Sequence, residues 1–160
     1  MHVYLGLGTN LGDKELNLRR AVREIGERIG TVVSLSAFYL TPPWGFASDN
    51  DFLNAAVGVD TPLPPLEVLA RAQRIEREMG RARKSAAGIY HDRPIDIDLL
   101  LYDDQVLSLV TPEGDRLVIP HPLMAGRDFV MRPMAEIAPD VVHPVLGKTM
   151  RELFYSVKIG

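Results

Sequence analysis

Asp96 and Asp98, one residue apart in the run IDIDLLLY, are the side chains best placed to do chemistry. Side chains alternate along an extended chain, so both carboxylates leave the same face, about 7 Å apart. Ile95, Ile97, Leu99 and Leu101 take the opposite face, while Leu100 and Tyr102 follow the acids. Paired carboxylates are hard oxygen ligands that suit Mg²⁺, an ion that meets a protein through one or two carboxylates plus substrate phosphates. A D-x-D pair alone is better read as two solvated acids on an exposed strand face, because the motif is short and common, and its neighbours change that balance. Seven of the 18 basic residues fall within 71–93: Arg71, Arg74, Arg77, Arg81, Arg83, Lys84 and Arg93. The first three fit a solvated helix face with i,i+4 pairs. Arg81, Arg83 and Arg93 lie in a loop that leads straight to the acids, and arginine forks suit phosphate oxygens. Acids and arginines together point to a metal-bound polyphosphate.

A second group lies upstream. Pro42, Pro43 and Trp44 precede Phe52 and Asn54, and an aromatic with an amide offers a flat heteroaromatic ring both stacking and directional hydrogen bonds. The run GLGTNLG at 6–12 is spaced G-x-G-x-x-x-G, which is neither the dinucleotide fingerprint nor a P-loop. It reads as a tight strand-to-helix turn fixed by Asn10. Met124, Met131 and Met134 read as packing residues, and His2 and His143 show no partner pattern.

The elements that must position these groups follow from periodicity. Residues 2–8, 31–40, 52–60 and 95–102 read as strands. Residues 13–29 and 64–79 read as helices with apolar stripes, Leu18, Val22, Ile25, Ile29 and Val68, Ala72, Ile75, Met79, each stopped by glycine. In the 31–40 run, Val33, Leu35, Ala37 and Tyr39 share a face. The order strand, helix, strand, strand, helix, strand predicts an α+β protein with a ferredoxin-like βαββαβ core: a mostly antiparallel sheet with both helices on one face. Parity then places Gly6, Gly8, Phe52, Asn54, Ala56, Asp96 and Asp98 on the open face, a depression floored by small residues. The proline-punctuated remainder is expected to form a C-terminal extension: a hairpin near 105–107 and 116–119, a helical turn after His121 and a helix near 148–155.

At 160 residues, 46% hydrophobic and 24% charged, the chain fits a single globular domain spanning 1–160. The absence of cysteine excludes thiol nucleophiles and iron–sulfur clusters. A net charge of -3 argues against holding nucleic acid by bulk attraction. No apolar run is long enough to span a bilayer, and the first residues lack the pattern of a signal peptide. A cytoplasmic monomer, free of nucleic acid and membrane, is expected.

The segments GLGTNLGD, FYLTPPWG, DFLNAAV, QRIEREMGRAR, RPIDIDLLLY and IPHPLMAGRDFV, in that order, resemble the 6-hydroxymethyl-7,8-dihydropterin pyrophosphokinases of folate biosynthesis over about residues 2–140. The resemblance implies transfer of the β,γ-diphosphate of ATP to the pterin hydroxymethyl group, with release of AMP. It implies that Asp96 and Asp98 hold two Mg²⁺ ions, and that Arg83 and Arg93 act with them on the moving diphosphate. Thr41, Pro42, Pro43, Trp44, Phe52, Asn54 and Phe129 are implied to form the pterin pocket. Gln73, Glu76, Arg81, Arg83, Arg93, Ile97, Arg116, His121 and Arg127 are implied to form the ATP side. The chain departs from the family pattern at Trp44, Phe52, Tyr90, His91-Asp92 and Pro122, positions that bear on loop closure and nucleotide affinity. Loops 41–51 and 80–94 are expected to close and exclude water. Two other readings of the open face are an RNA-binding sheet, for which the acids and small residues are the wrong surface, and a two-metal phosphodiesterase or nucleotidyltransferase, which product analysis separates. A catalytically silent relative is the third.

Overall fold

The computed structural model describes residues 1–42, 51–80 and 94–159. The elements run β1 (His2–Thr9), α1 (Lys14–Arg28), β2 (Thr31–Leu35), β3 (Tyr39–Thr41), β4 (Phe52–Asp60), α2 (Pro65–Gly80), β5 (Asp96–Tyr102), β6 (Leu107–Val110), β7 (Arg116–Ile119), a 3₁₀ turn (Met124–Gly126), α3 (Asp128–Ile137) and α4 (Met150–Ile159). The main sheet has the order β2-β4-β1-β5, and every pairing in it is antiparallel. This is the expected α+β core.

Local chemistry sets the boundaries. Asp13 caps α1 by accepting from the Leu16 N–H at 3.1 Å. At the far end of α1, a Cβ on Gly30 would collide with the Asp60 backbone carbonyl, so only glycine lets the chain pass there. Thr149 and Glu152 form a reciprocal capping box at the start of α4: the Glu152 N–H donates to Thr149 Oγ1 at 3.1 Å and the Thr149 N–H to Glu152 Oε1 at 2.9 Å.

Several sequence expectations need correction. The single strand over 31–40 is two strands, both on the outer edge of β4. Between them Ser36 turns inward: its Oγ accepts the Ala56 N–H at 2.9 Å while its own N–H donates to the Ala56 carbonyl at 3.0 Å. A further irregularity between Val32 and Ser34 shifts the register, so Val33 and Leu35 are exposed at the sheet edge rather than continuing one regular face with Tyr39. In β5, a bulge opposite Tyr4 and Leu5 resets the parity. Leu99 and Tyr102 join the layer under α1 and α2, whereas Leu100 and Leu101 both pack on the opposite side. Finally, the face expected to be open is covered over one half. A helix that periodicity did not reveal, α3, packs there with α4 and buries Met124, Met131, Met134 and Met150 against Tyr4, Ala56, Leu100 and Leu101. The methionines are thus core, as read. The hairpin's second strand stands at 116–119 as expected, while its first lies at 107–110 and the last helix runs over 150–159.

Candidate active site

The uncovered half of that face is a cavity of about 280 Å³. Its floor is β1. Register places Gly8 between Asn54 of β4 and Asp96 of β5, and Gly6 between Ala56 and Asp98. A Cβ on Gly8 would stand 3.2 Å from Asn54 Oδ1 and 3.5 Å from the Phe52 ring, and one on Gly6 would stand 3.3 Å from a Leu100 methyl. Glycine at both positions keeps the trough open from the amide side to the acid side.

On the amide side, Thr41, Pro42, Phe52 and Asn54 line the cavity, with Phe129 from the first turn of α3. Asn54 is buried. Its Nδ2 donates to Thr41 Oγ1 at 2.7 Å and to the Tyr39 carbonyl at 3.3 Å. With the nitrogen committed to β3, Oδ1 is the atom turned toward Gly8, and Thr41, already accepting, keeps its hydroxyl hydrogen to donate. A ring with adjacent N–H donors and an acceptor matches this edge. The Arg127 guanidinium lies 5.6 Å from the Phe129 ring centroid.

On the acid side, Asp96 and Asp98 are half-buried and both face the cavity. Glu76 reaches them from α2. It accepts the Ile97 N–H at 2.7 Å, and burial, followed by the charges of Asp96 and Asp98, pushes its carboxyl up to about 8. His121 and Arg127 complete this wall. His121 Nδ1 accepts from the Leu123 N–H at 3.2 Å, which leaves the ring hydrogen on Nε2. Burial and the nearby Arg127 hold its pKa down, against a smaller opposing pull from Asp96, so the ring is neutral. Among the described residues no group of three or more metal-ligating side chains occurs. Two carboxylates that leave most of a coordination shell to water and phosphate fit Mg²⁺, and not an ion that needs a full protein cage.

Of the residues singled out in the sequence, Thr41, Pro42, Phe52, Asn54, Asp96, Asp98, His121, Arg127 and Phe129 meet in this cavity. Glu76 borders it through Asp96. The Ile97 side chain is buried in the helix-side core and only its backbone faces Glu76. Gln73 and Arg116 do not line the cavity; Arg116 donates to Ser108 at 2.6 Å across the β6–β7 hairpin. Pro43, Trp44, Arg81, Arg83, Tyr90, His91, Asp92 and Arg93 lie outside the described residues. Sequence reasoning missed Leu123 and Val130 as lining residues. Val130 was hidden because α3 itself was not legible.

The sequence model of the family described as 7,8-dihydro-6-hydroxymethylpterin-pyrophosphokinase matches residues 4–139. The chain belongs to this pyrophosphokinase family. Its activity is pyrophosphate transfer to a hydroxymethyldihydropterin in folate biosynthesis. Relatives named 2-amino-4-hydroxy-6-hydroxymethyldihydropteridine pyrophosphokinase agree. The one from Porphyromonas gingivalis is 48% identical over 142 residues, 89% of this chain and 93% of that protein. The one from Methylorubrum extorquens is 45% identical over 150 residues, 93% and 89% respectively. The one from Bacillus subtilis is 40% identical over 139 residues, 86% and 78%. Among solved structures, wild-type Plasmodium falciparum HPPK-DHPS with STZ-DHP superposes with a TM-score of 0.79 at 17% identity over 97% of this chain. That likeness shows the fold alone, and this chain spans 43% of that longer one. Among the described residues no helix is long and apolar enough to cross a membrane.

Proposed function

We propose that this pyrophosphokinase takes its diphosphate from ATP, working with Mg²⁺ held by Asp96 and Asp98, and that the acceptor is 6-hydroxymethyl-7,8-dihydropterin seated against Asn54. The hydroxymethyl oxygen attacks the β-phosphorus in line. The bond from that phosphorus to the oxygen bridging it to the α-phosphate breaks, AMP leaves, and the hydroxyl proton passes to solvent. The observation that carries this reading is the row Asn54–Gly8–Asp96: a ring-recognising amide and a polyphosphate-holding acid on either side of a residue with no side chain. A ring on the amide has a clear path over Gly8 for its hydroxymethyl arm to reach phosphate beside the acids.

Bound at the two aspartates, Mg²⁺ supplies neutralisation of polyphosphate charge. The chain's own residues do the rest by positioning and electrostatics, which dominate phosphoryl transfer. Asn54 Oδ1 and the Thr41 hydroxyl orient the ring, and Phe52 and Phe129 pack on it. The neutral His121 donates from Nε2, and Arg127 adds fixed positive charge on the nucleotide side. Arg83 and Arg93 are assigned to the moving diphosphate, and Gln73, Arg81 and Arg116 to the nucleotide, from the family pattern. Pro43 and Trp44 join the pterin wall on the same ground. We further propose a cytoplasmic monomer with no nucleic-acid or membrane partner; a net charge of -3 fits a protein that does not hold nucleic acid by bulk attraction. The test is AMP release from MgATP in the presence of the hydroxymethyldihydropterin. AMP and the pterin diphosphate should appear in equal amounts, only with Mg²⁺ and only with acceptor. Formation of ADP, or AMP without acceptor, overturns the reading.

A further inference from the structure

Three side chains leave α3 at i, i+3 and i+7, hence on one face: Phe129, Arg132 and Glu136. Phe129 lines the ring end of the cavity. The other two reach the short strand β3 instead. The Arg132 guanidinium lies 5.5 Å from the centroid of the Tyr39 ring. The Glu136 carboxylate accepts the Tyr39 hydroxyl at 2.5 Å and the Ala37 N–H at 3.0 Å to each of its oxygens. Bonds of this kind, with a charged acceptor, are about twice as strong as neutral ones.

What Glu136 holds is the strand that holds Asn54. β3 has three residues, and Tyr39 is the register partner of Asn54. The Tyr39 carbonyl and Thr41 Oγ1 are acceptors that fix the Asn54 nitrogen, and so turn its oxygen into the trough. A strand of three pairs has little rigidity of its own. One helix face therefore presents a cavity wall, Phe129, and grips the strand that sets the opposite wall.

We propose that Glu136 is a positioning residue for the acceptor substrate: by pinning Ala37 and Tyr39 to α3, it fixes the orientation of the Asn54 amide and its span to Phe129. The inference rests on the assignment of the pterin ring to Asn54 and Phe129. Glu136 touches no substrate itself. Its effect belongs to the ring end of the trough and leaves the acid end, 96–98, alone.

The test compares wild type with Glu136→Ala, Glu136→Gln and Tyr39→Phe. Steady-state kinetics are measured with each substrate varied, and calorimetry measures binding of 6-hydroxymethylpterin to the protein saturated with Mg²⁺ and a non-hydrolysable ATP analogue. For Glu136→Ala the KM for the pterin should rise about tenfold with the KM for ATP within about twofold, the pattern of lost ground-state binding at one end only. Glu136→Gln, which keeps an acceptor for the Tyr39 hydroxyl, should recover most of the loss, and Tyr39→Phe should reproduce part of it. An unchanged pterin KM, or both KM values rising together, overturns the proposal. If Glu136→Ala does not fold, Tyr39→Phe decides by the same criterion. Wild type that binds no pterin in the calorimeter removes the ring assignment itself. Wild type that binds it with Glu136→Ala and Tyr39→Phe indistinguishable from it removes only the role of Glu136.

Discussion

Leu5 and Gly6 are neighbours on β1 and face opposite ways. Leu5 is fully buried under α1 and α2 with Val3, Leu7, Val57 and Val59, a continuous apolar layer. Gly6 is part of a trough floor with an acid on one side and a small residue on the other. One face of the sheet is packed to hold the strands in register. The other is packed only over its α3–α4 half and left bare where register has lined up Asn54, Gly8 and Asp96. The difference shows how this fold divides its labour: the helix side supplies rigidity, and the bare half uses the spacing that rigidity guarantees.

Substitutions on the two faces should separate cleanly. Asp96→Ala or Asp98→Ala should raise the barrier by several kcal/mol, read as a loss in kcat of about a thousandfold or more, with the thermal midpoint nearly unchanged. Near-wild-type turnover at saturating Mg²⁺ would remove the metal-ligand role. Leu5→Ala should do the reverse, costing about 2–5 kcal/mol in denaturant unfolding through the cavity it leaves. Whatever protein remains folded should keep its substrate affinities; a selective change in KM would mean that the two faces are coupled. Asn54→Ala should weaken the pterin by about 1–3 kcal/mol with ATP binding little altered, and a defect confined to ATP would contradict the assignment of the ring end.

A last prediction concerns Glu76, which stands where the two faces meet. Its carboxyl is raised from 4.5 to about 8 in the fold. Between those values the metal-free folded protein holds a proton that the unfolded chain has lost. Stability from this group is therefore fully present below about 4.5 and is lost as pH rises through about 8. In EDTA, the thermal midpoint of wild type should fall from about pH 5 to about pH 8.5, and Glu76→Gln should flatten that slope. Parallel profiles for the two proteins would show that the proton sits elsewhere.

Much of this was legible in the sequence because strand periodicity is strict. IDID alternates polar and apolar residues without ambiguity, so the acids' common face could be read directly, as could the amide at 54. The run LLLY that follows carries no such contrast, and a bulge that buries Leu100 and Leu101 on the same side leaves no mark in an apolar string. α3 escaped for a different reason. Pro133 sits within its ten residues and removes a backbone donor, which reads as a break. The helix persists because Val130, Met131, Pro133 and Met134 are all buried, a tertiary contribution no local pattern contains. Glu136 was invisible with it. The third carboxylate at the acids, Glu76, came through family likeness, but its raised pKa depends on a burial that only the packing of α2 on β5 creates.

The spacing of Asn54 and Asp96 has one more consequence. They stand on strands either side of β1, so about two inter-strand intervals, near 9.5 Å, separate the backbones that bear them. That length is written in main-chain hydrogen bonds, not in side chains. Mutation can blunt either end of such a gauge but cannot lengthen it, because the next available setting is a register slip that turns every residue of the strand over. Changing the reach between the two ends would therefore call for a rebuilt sheet, not a redesigned pocket.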